Sequence, residues 1–279
     1  MECIAAWGRN IYDAAVLSGQ GLTARKFQAC NTCNNSYSIA KAFTMTAIGL
    51  LQDDGRLKVE DPISQFLPLT HGCAKVWHSV TIEHALTHTI GFTAGFLDID
   101  LEDVQSYPSP DYLDIIFSHP LAYQPGTHAV YSDAAYYLLA RIVLAAGGKE
   151  LDEVLRERLV NPLEFRQIAW SRCPLGHPIG ATGLYVSAED MVKLGWLYGN
   201  GGKWQDRQIL SEYWVKQALR RGYEFRPVQN TRLYAKGGLF GQMLLFDPEQ
   251  HLACGWHSFD AESSNKPLLE AIVNKLTQN

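Results

Sequence analysis

Ser38 and Lys41 stand three residues apart in Asn35-Ser36-Tyr37-Ser38-Ile39-Ala40-Lys41, just ahead of a long helical pattern. A residue and its i+3 neighbour share a helix face. A serine hydroxyl is a poor nucleophile until a neighbour takes its proton. The start of a helix adds positive potential that favours the alkoxide developing there. The same spacing fits an N-cap serine followed by a solvated lysine, and on this motif alone that is the simpler reading. Ser36 competes for the cap but has Ile39, not a lysine, at i+3.

Two further clusters carry chemical groups. Tyr131-Ser132-Asp133 follows Pro125-Gly126-Thr127 and precedes an apolar helical run. A loop tyrosine can act as a phenolate base if cations lower its pKa from about 10. Ser and Asp are also the residues expected at the N-cap of the helix opening at Ala134. Lys236-Gly237-Gly238-Leu239 falls on a predicted strand. Paired glycines inside a strand point to a close approach to the backbone, by a ligand or by another strand.

Competing motifs are weak or missing. No serine has the G-x-S-x-G spacing of a hydrolase elbow. There is no HExxH, no phosphate-binding lysine loop and no complete GxGxxG. His84 and His88, four apart on a predicted helix, lack a third ligand. His88 is expected to satisfy a local hydrogen bond within Leu86–Phe92. Cys30 and Cys33 have CxxC spacing without a second pair, so they read as small loop residues. No metal or other cofactor is expected.

The elements that must position these groups follow from periodicity. Residues 1–34, with turns at Gly8-Arg9-Asn10 and Ser18-Gly19-Gln20-Gly21, predict a hairpin or two strands. Ser38 to Asp54 is helical and stops at Gly55. Thr81–His88 reads as a short helix, Ala134–Ala146 as an apolar helix ended by Gly147-Gly148, and Leu151–Leu159 as another. Ser187-Ala188-Glu189-Asp190 is a capping box for a helix to about Tyr198, and Ser211 caps one more. Leu233–Asp247 and His251–Phe259 are strand-like, and Pro267–Leu276 is helical. The Asp98–Pro120 segment reads as a loop beside the cleft, with Tyr107, Tyr112 and Phe117 either lining it or in the core. Strands at both ends and helices between them predict an α+β fold. Its antiparallel sheet is built from both termini and flanked by helices, with a mostly helical inserted subdomain. The expected organisation is one domain over 1–279, with sheet parts near 1–34 and 180–279 and a helical part near 56–175.

Hydrophobic residues are 47% and charged residues 19%, which is a globular composition. A net charge of −5 argues against nucleic-acid and anionic-membrane partners. No apolar run is long enough to span a bilayer. The start of the chain lacks a basic region and a long apolar core, so it reads as cytoplasmic, without a signal peptide. Oligomeric state is not readable from these patterns.

In order and spacing, Ser38-x-x-Lys41, Tyr131-Ser132-x and Lys236-x-Gly238 resemble the serine β-lactamase and penicillin-binding-protein superfamily. The likeness is to the branch with a tyrosine in its second motif: class C β-lactamases, DD-peptidases and β-lactamase-like esterases. ALTHTIGF, QPGTHAVYSDAAYYLLARIV, GLYVSAEDMVKLGWLYGNGG and GGLFGQMLLFDPEQ resemble the family's connecting segments, from about Asn35 to Phe259. The resemblance implies a β-lactamase/transpeptidase-like fold and an acyl-enzyme on Ser38. It implies proton shuttling by Lys41 and Tyr131, either of which could be the base, with Lys236 lowering the Tyr131 pKa and attracting an anionic group. The backbone N–H groups of Ser38 and Leu239 would form the oxyanion hole.

Three departures stand out against that family. Asp133 replaces an Asn common among relatives, so it either faces the site, where it could pair with Lys41, or caps the helix. Gly237 replaces the Thr or Ser of penicillin-recognising members, which lowers the expectation of β-lactam turnover. Only 37 residues precede Ser38, so the N-terminal helix that normally packs on the sheet is expected to be missing or supplied by a partner. The expected function is a serine hydrolase for a small ester or amide substrate, including β-lactams or D-amino-acid peptides. The alternative is a non-catalytic member of the fold that binds a ligand or a protein.

Overall fold

The computed structural model describes residues 1–7, 10–69, 75–261 and 266–277. Gly8 and Arg9 of the first predicted turn, and Cys73, lie outside the described residues. In chain order come α1 (Glu2–Trp7), β1 (Ile11–Ser18), β2 (Gly21–Lys26), β3 (Asn34–Asn35) and α2 (Ala40–Asp53). Next are α3 (Ile82–Leu86), α4 (Tyr112–Ser118), α5 (Asp133–Gly147), α6 (Leu151–Leu155), β4 (Ile168–Trp170) and β5 (Leu184–Val186). The chain continues through α7 (Ala188–Gly199), β6 (Lys203–Trp204), β7 (Arg207–Gln208), α8 (Glu212–Arg221) and β8 (Arg226–Pro227). It closes with β9 (Tyr234–Gly238), β10 (Gln242–Asp247), β11 (Leu252–Ser258) and α9 (Lys266–Thr277).

The chain divides into two compact units. The first comprises Met1–Ile39, Asn161–Ala169 and Leu184–Asn279. It carries an antiparallel six-stranded sheet in the order β2-β1-β11-β10-β9-β8, so the early hairpin and the late strands join at the β1–β11 pair. Strand alternation sends Ala14 of β1 and Cys254 and Trp256 of β11 to one face. There they join Ile4 of α1 and Leu268 and Ile272 of α9 in one buried cluster. The opposite face receives α7, where Gly195 lets the helix approach Leu244 and Ala253. The short helix α1 thus covers part of the first face through Ile4. Ser187 caps α7 by accepting from the Asp190 N–H, and Ser211 caps α8 by accepting from the Trp214 N–H.

Leu233–Asp247 is not one strand. It breaks at Leu239–Gly241, where Phe240 takes φ 59°, and the halves return as the antiparallel pair β9 and β10. Phe240 and Gly241, the latter at φ 85°, carry the reversal, although the run of apolar residues concealed it. The Asp247 side chain accepts from the Glu249 and Gln250 N–H groups and so closes the β10–β11 turn.

The second unit comprises Ala40–Val160 and Trp170–Gly183. Its α2 is buried at every residue from Ala40 to Leu51, and α5 is buried nearly as fully. A helix that is apolar on all sides belongs inside a core. Gly148, with φ 72°, ends α5 in the left-handed conformation. α3 stops at Leu86 rather than His88, which sits beyond it at φ 58°. The Leu151–Leu159 helix changes after Leu155 into a π-helical turn. The presumed Asp98–Pro120 loop contains α4. Tyr112 and Phe117 are core residues there, and exposed-side Tyr107 donates to Glu102. No helix among the described residues is long and apolar enough to cross a membrane.

Candidate active site

In the first unit, Ser38 lies in a 3-10 turn, Tyr37–Ile39, that runs directly into α2. The preceding segment is pinned on both sides. The Ser36 N–H and hydroxyl both donate to the Leu184 carbonyl, at 2.8 and 2.9 Å, and β3 pairs with β5. Ser36 is thus an anchor rather than a cap. Tyr37 adopts φ 48°, a left-handed conformation that costs a non-glycine residue about 1–2 kcal/mol. Its N–H is held by Asn35 Oδ1 at 2.9 Å, and its ring meets Phe240 edge-on at 5.2 Å. Strain of this kind, fixed by surrounding contacts, clusters at functional positions.

The two glycines of the third cluster have different reasons. A Cβ on Gly238 would stand 2.5 Å from the Ser36 carbonyl oxygen, so the close approach anticipated there is made by the chain itself. A Cβ on Gly237 would meet nothing nearer than 3.8 Å. Leu239 heads the turn after β9 instead of lying on a strand. Lys236 is buried, and its Nζ lies 2.5 Å from Oε2 of Glu224, itself 3% exposed. Glu224 had not been singled out by sequence reasoning. Its only signal was its place between two aromatics, Tyr223 and Phe225, that the core claims.

In the second unit, Lys41, Tyr131 and Asp133 come together. Lys41 is fully buried on the first turn of α2. Its Nζ lies 2.7 Å from Asp133 Oδ1 and donates to the Ala181 carbonyl at 3.0 Å. The same Nζ is 4.7 Å from the centre of the Tyr131 ring. The solvated-lysine reading is thereby excluded. Asp133 is the first residue of α5, Ser132 holds the N-cap position, and neither caps by its side chain in the way expected. Tyr131 is half exposed.

Tyr131 is placed by His88, which sequence reasoning had assigned a local bond. His88 Nδ1 accepts from the Ser132 N–H at 3.2 Å, and the His88 carbonyl accepts from the Val130 N–H at 2.8 Å. The imidazole lies against the Tyr131 ring at 4.5 Å and the Tyr136 ring at 5.2 Å. His84 has a separate task. Its Nδ1 accepts from the Thr81 N–H at 3.1 Å and completes the cap of α3.

Asp98 and Asp100 join Asp133 in a cluster whose carboxylate oxygens lie within 4.8 Å of one another. Burial pushes the Asp98 and Asp100 carboxyls up, and the Asp133 charge pushes the same way. The Thr182 hydroxyl, bonded to Asp100, pulls that carboxyl back. This cluster was not anticipated, because Asp98 and Asp100 precede no motif in the sequence. Cys33 lies in the first unit, its thiol bonded to the Gln167 carbonyl and pushed up by burial beside Asp190 and Asp13. It belongs to no group of three metal-capable side chains among the described residues.

A family model described as Beta-lactamase matches residues 3–270. An Escherichia coli (strain K12) protein named "Putative D-alanyl-D-alanine carboxypeptidase" is 30% identical over 198 residues, covering 67% of this chain and 45% of that one. Its namesake from Escherichia coli O157:H7 is 24% identical over 319 residues, covering 89% and 73%. The chain therefore spans under half of the first of these relatives. Among solved structures, the "Putative 6-aminohexanoate-dimer hydrolase from Bacillus anthracis" matches with TM-score 0.83 at 18% identity, covering 99% of this chain and 82% of that one. A β-lactamase/D-alanine carboxypeptidase from Yersinia pestis, in complex with citrate, matches with TM-score 0.76 at 18% identity, covering 100% and 95%. At such identities the likeness to these structures is one of fold.

Proposed function

The chain belongs to the Beta-lactamase family, and from that premise we propose that it is a serine hydrolase that cleaves an ester or amide through an acyl-enzyme on Ser38. The observation that carries this reading is the burial of Lys41 one turn after Ser38, against Asp133 and beside Tyr131. A buried charge is costly to keep and is retained where a structure has a use for it. The relatives' names, carboxypeptidase and β-lactamase, support acyl transfer as the reaction class.

In the proposed reaction, Ser38 Oγ forms a bond to the carbonyl carbon as its proton passes to the Lys41–Tyr131 pair. The carbon–leaving-group bond then breaks, and that proton goes to the departing alcohol or amine. Water adds to the acyl-enzyme, gives up one proton through the same pair, and releases the acid and free Ser38. The Ser38 and Leu239 N–H groups are assigned to the oxyanion. Lys236 is assigned to electrostatic support. Asp133 fixes the position of the Lys41 Nζ beside the Tyr131 ring.

The test is intact-mass measurement after treatment with a fluorophosphonate. A single adduct on the wild type, absent from Ser38→Ala, is the expected result. A wild type that gains no mass, or a Ser38→Ala variant that still gains it, removes Ser38 as the nucleophile.

A further inference from the structure

We infer that the acyl donor taken by this site carries no carboxylate: its substrates are esters or amides that are neutral beside the scissile carbonyl. This rests on the reading that Lys41 and Lys236 serve the Ser38 reaction. An anionic substrate group needs a cation whose charge is not already matched. Both lysines have a carboxylate in contact. Lys236 Nζ stands 2.5 Å from Glu224 Oε2, and both side chains are buried. Lys41 Nζ stands 2.7 Å from Asp133 Oδ1, again with both buried.

Two further features act in the same direction. Position 237 is a glycine, so no hydroxyl stands there to bind a carboxylate oxygen, and the space a side chain would fill is open. Among the described residues, the titratable groups around Lys41 include Asp98, Asp100, Asp133 and Tyr131, with His88 against the tyrosine. Three carboxyls face one ammonium there. A substrate carboxylate would give up its hydration and meet like charge, whereas a neutral group gives up far less.

The inference is tested on Ser38→Ala, so that binding is read without turnover. The probes are N-benzyl succinamide and N-benzyl succinamate, which differ only in a terminal amide or carboxylate, titrated by ligand-observed NMR. Tighter binding of the amide by about tenfold or more is expected, the scale of one mismatched charge in a partly buried site. Equal or tighter binding of the succinamate overturns the inference, and so does binding of neither. Glu224→Gln in the same background exposes the charge of Lys236 and is expected to move the ratio toward the succinamate. An unchanged ratio in folded Glu224→Gln overturns the role given to that pair. If that variant does not fold, Asp133→Asn makes the same comparison at Lys41, with the same two outcomes. The fluorophosphonate experiment reports separately on Ser38. A missing adduct with a neutral-over-anionic preference intact would remove the nucleophile and leave the charge selectivity standing.

Discussion

Gly237 and Gly238 are neighbours in sequence, yet alanine at each should act in opposite directions. Gly238 has φ −124° and ψ 162°, which alanine adopts freely, so its sensitivity is purely steric. Its new Cβ would lie 2.5 Å from the Ser36 carbonyl oxygen and 3.0 Å from Gln242 Cβ. Ordinary contact begins at 3.4 Å, so the β9 backbone and the Ser36 segment must part by about 0.9 Å. Overpacking of this size costs about 1–3 kcal/mol. The stiffer unfolded chain returns about 0.4–1 kcal/mol. The net loss is therefore about 1–2 kcal/mol, or a melting point lower by roughly 2–8 °C for a chain of this size. Gly237→Ala meets nothing closer than 3.8 Å and keeps only the unfolded-state gain, raising the melting point by roughly 1–3 °C. Differential scanning calorimetry of the two variants beside wild type reads both numbers. Because Ser36 is tied to Leu184 and lies two residues before Ser38, Gly238→Ala should also slow fluorophosphonate labelling, by about tenfold or more. A Gly238→Ala protein as stable as wild type, or a Gly237→Ala protein destabilised equally, would refute the assignment of the close approach to Gly238 alone.

Two other perturbations follow from the second unit. Asp133→Ala leaves Lys41 buried without its carboxylate and should cost about 3–5 kcal/mol by urea unfolding. The double variant Lys41→Met/Asp133→Leu should recover most of that loss, because the cost lies in the buried ammonium that has lost its contacting carboxylate. A double variant no more stable than Asp133→Ala would contradict this. His84 concerns pH. Burial holds its imidazole below the usual histidine range, so the native state binds fewer protons there than the unfolded chain. The sign follows directly: stability falls as pH drops through the unfolded value of about 6.5. His84→Gln keeps a side-chain acceptor for the Thr81 N–H and removes the titration. The slope of stability between about pH 7 and 5 should flatten in that variant, and an unchanged slope would rule His84 out as its source.

Much of this was legible in the sequence because each legible part was local. The 3.6-residue pattern of α2 and α5, the caps at Ser187 and Ser211, and the Gly148 stop all depend on residues within one or two turns. The three motifs were legible as an ordered set for the same reason. What stayed hidden depends on partners distant in the chain. His88 Nδ1 accepts a hydrogen bond from the Ser132 N–H, 44 residues on, and no local pattern announces that bond. Glu224 is set against Lys236 by the return of β8 beside β9. Asp133 has the composition of a cap and the position of a first helical residue, and only the burial of Lys41 decides between them. The break after Gly238 was hidden because Leu239 and Phe240 continue an apolar run, whereas the reversal is set by the backbone at Phe240 and Gly241.

The pairing of β1 with β11 has a consequence for how the chain comes off the ribosome. β1 sits between β2 and β11, and Asp13 reaches its bond with His257 across 244 positions. While the rest is being synthesised, the β1 edge of the β1–β2 hairpin waits for β11, and its apolar face waits for Trp256 and Leu268. Such distant pairings form late and slowly. The exposed edge is a sticky surface in the meantime. Expression yield, more than the melting point of the finished protein, should therefore register changes that delay or truncate the last two strands.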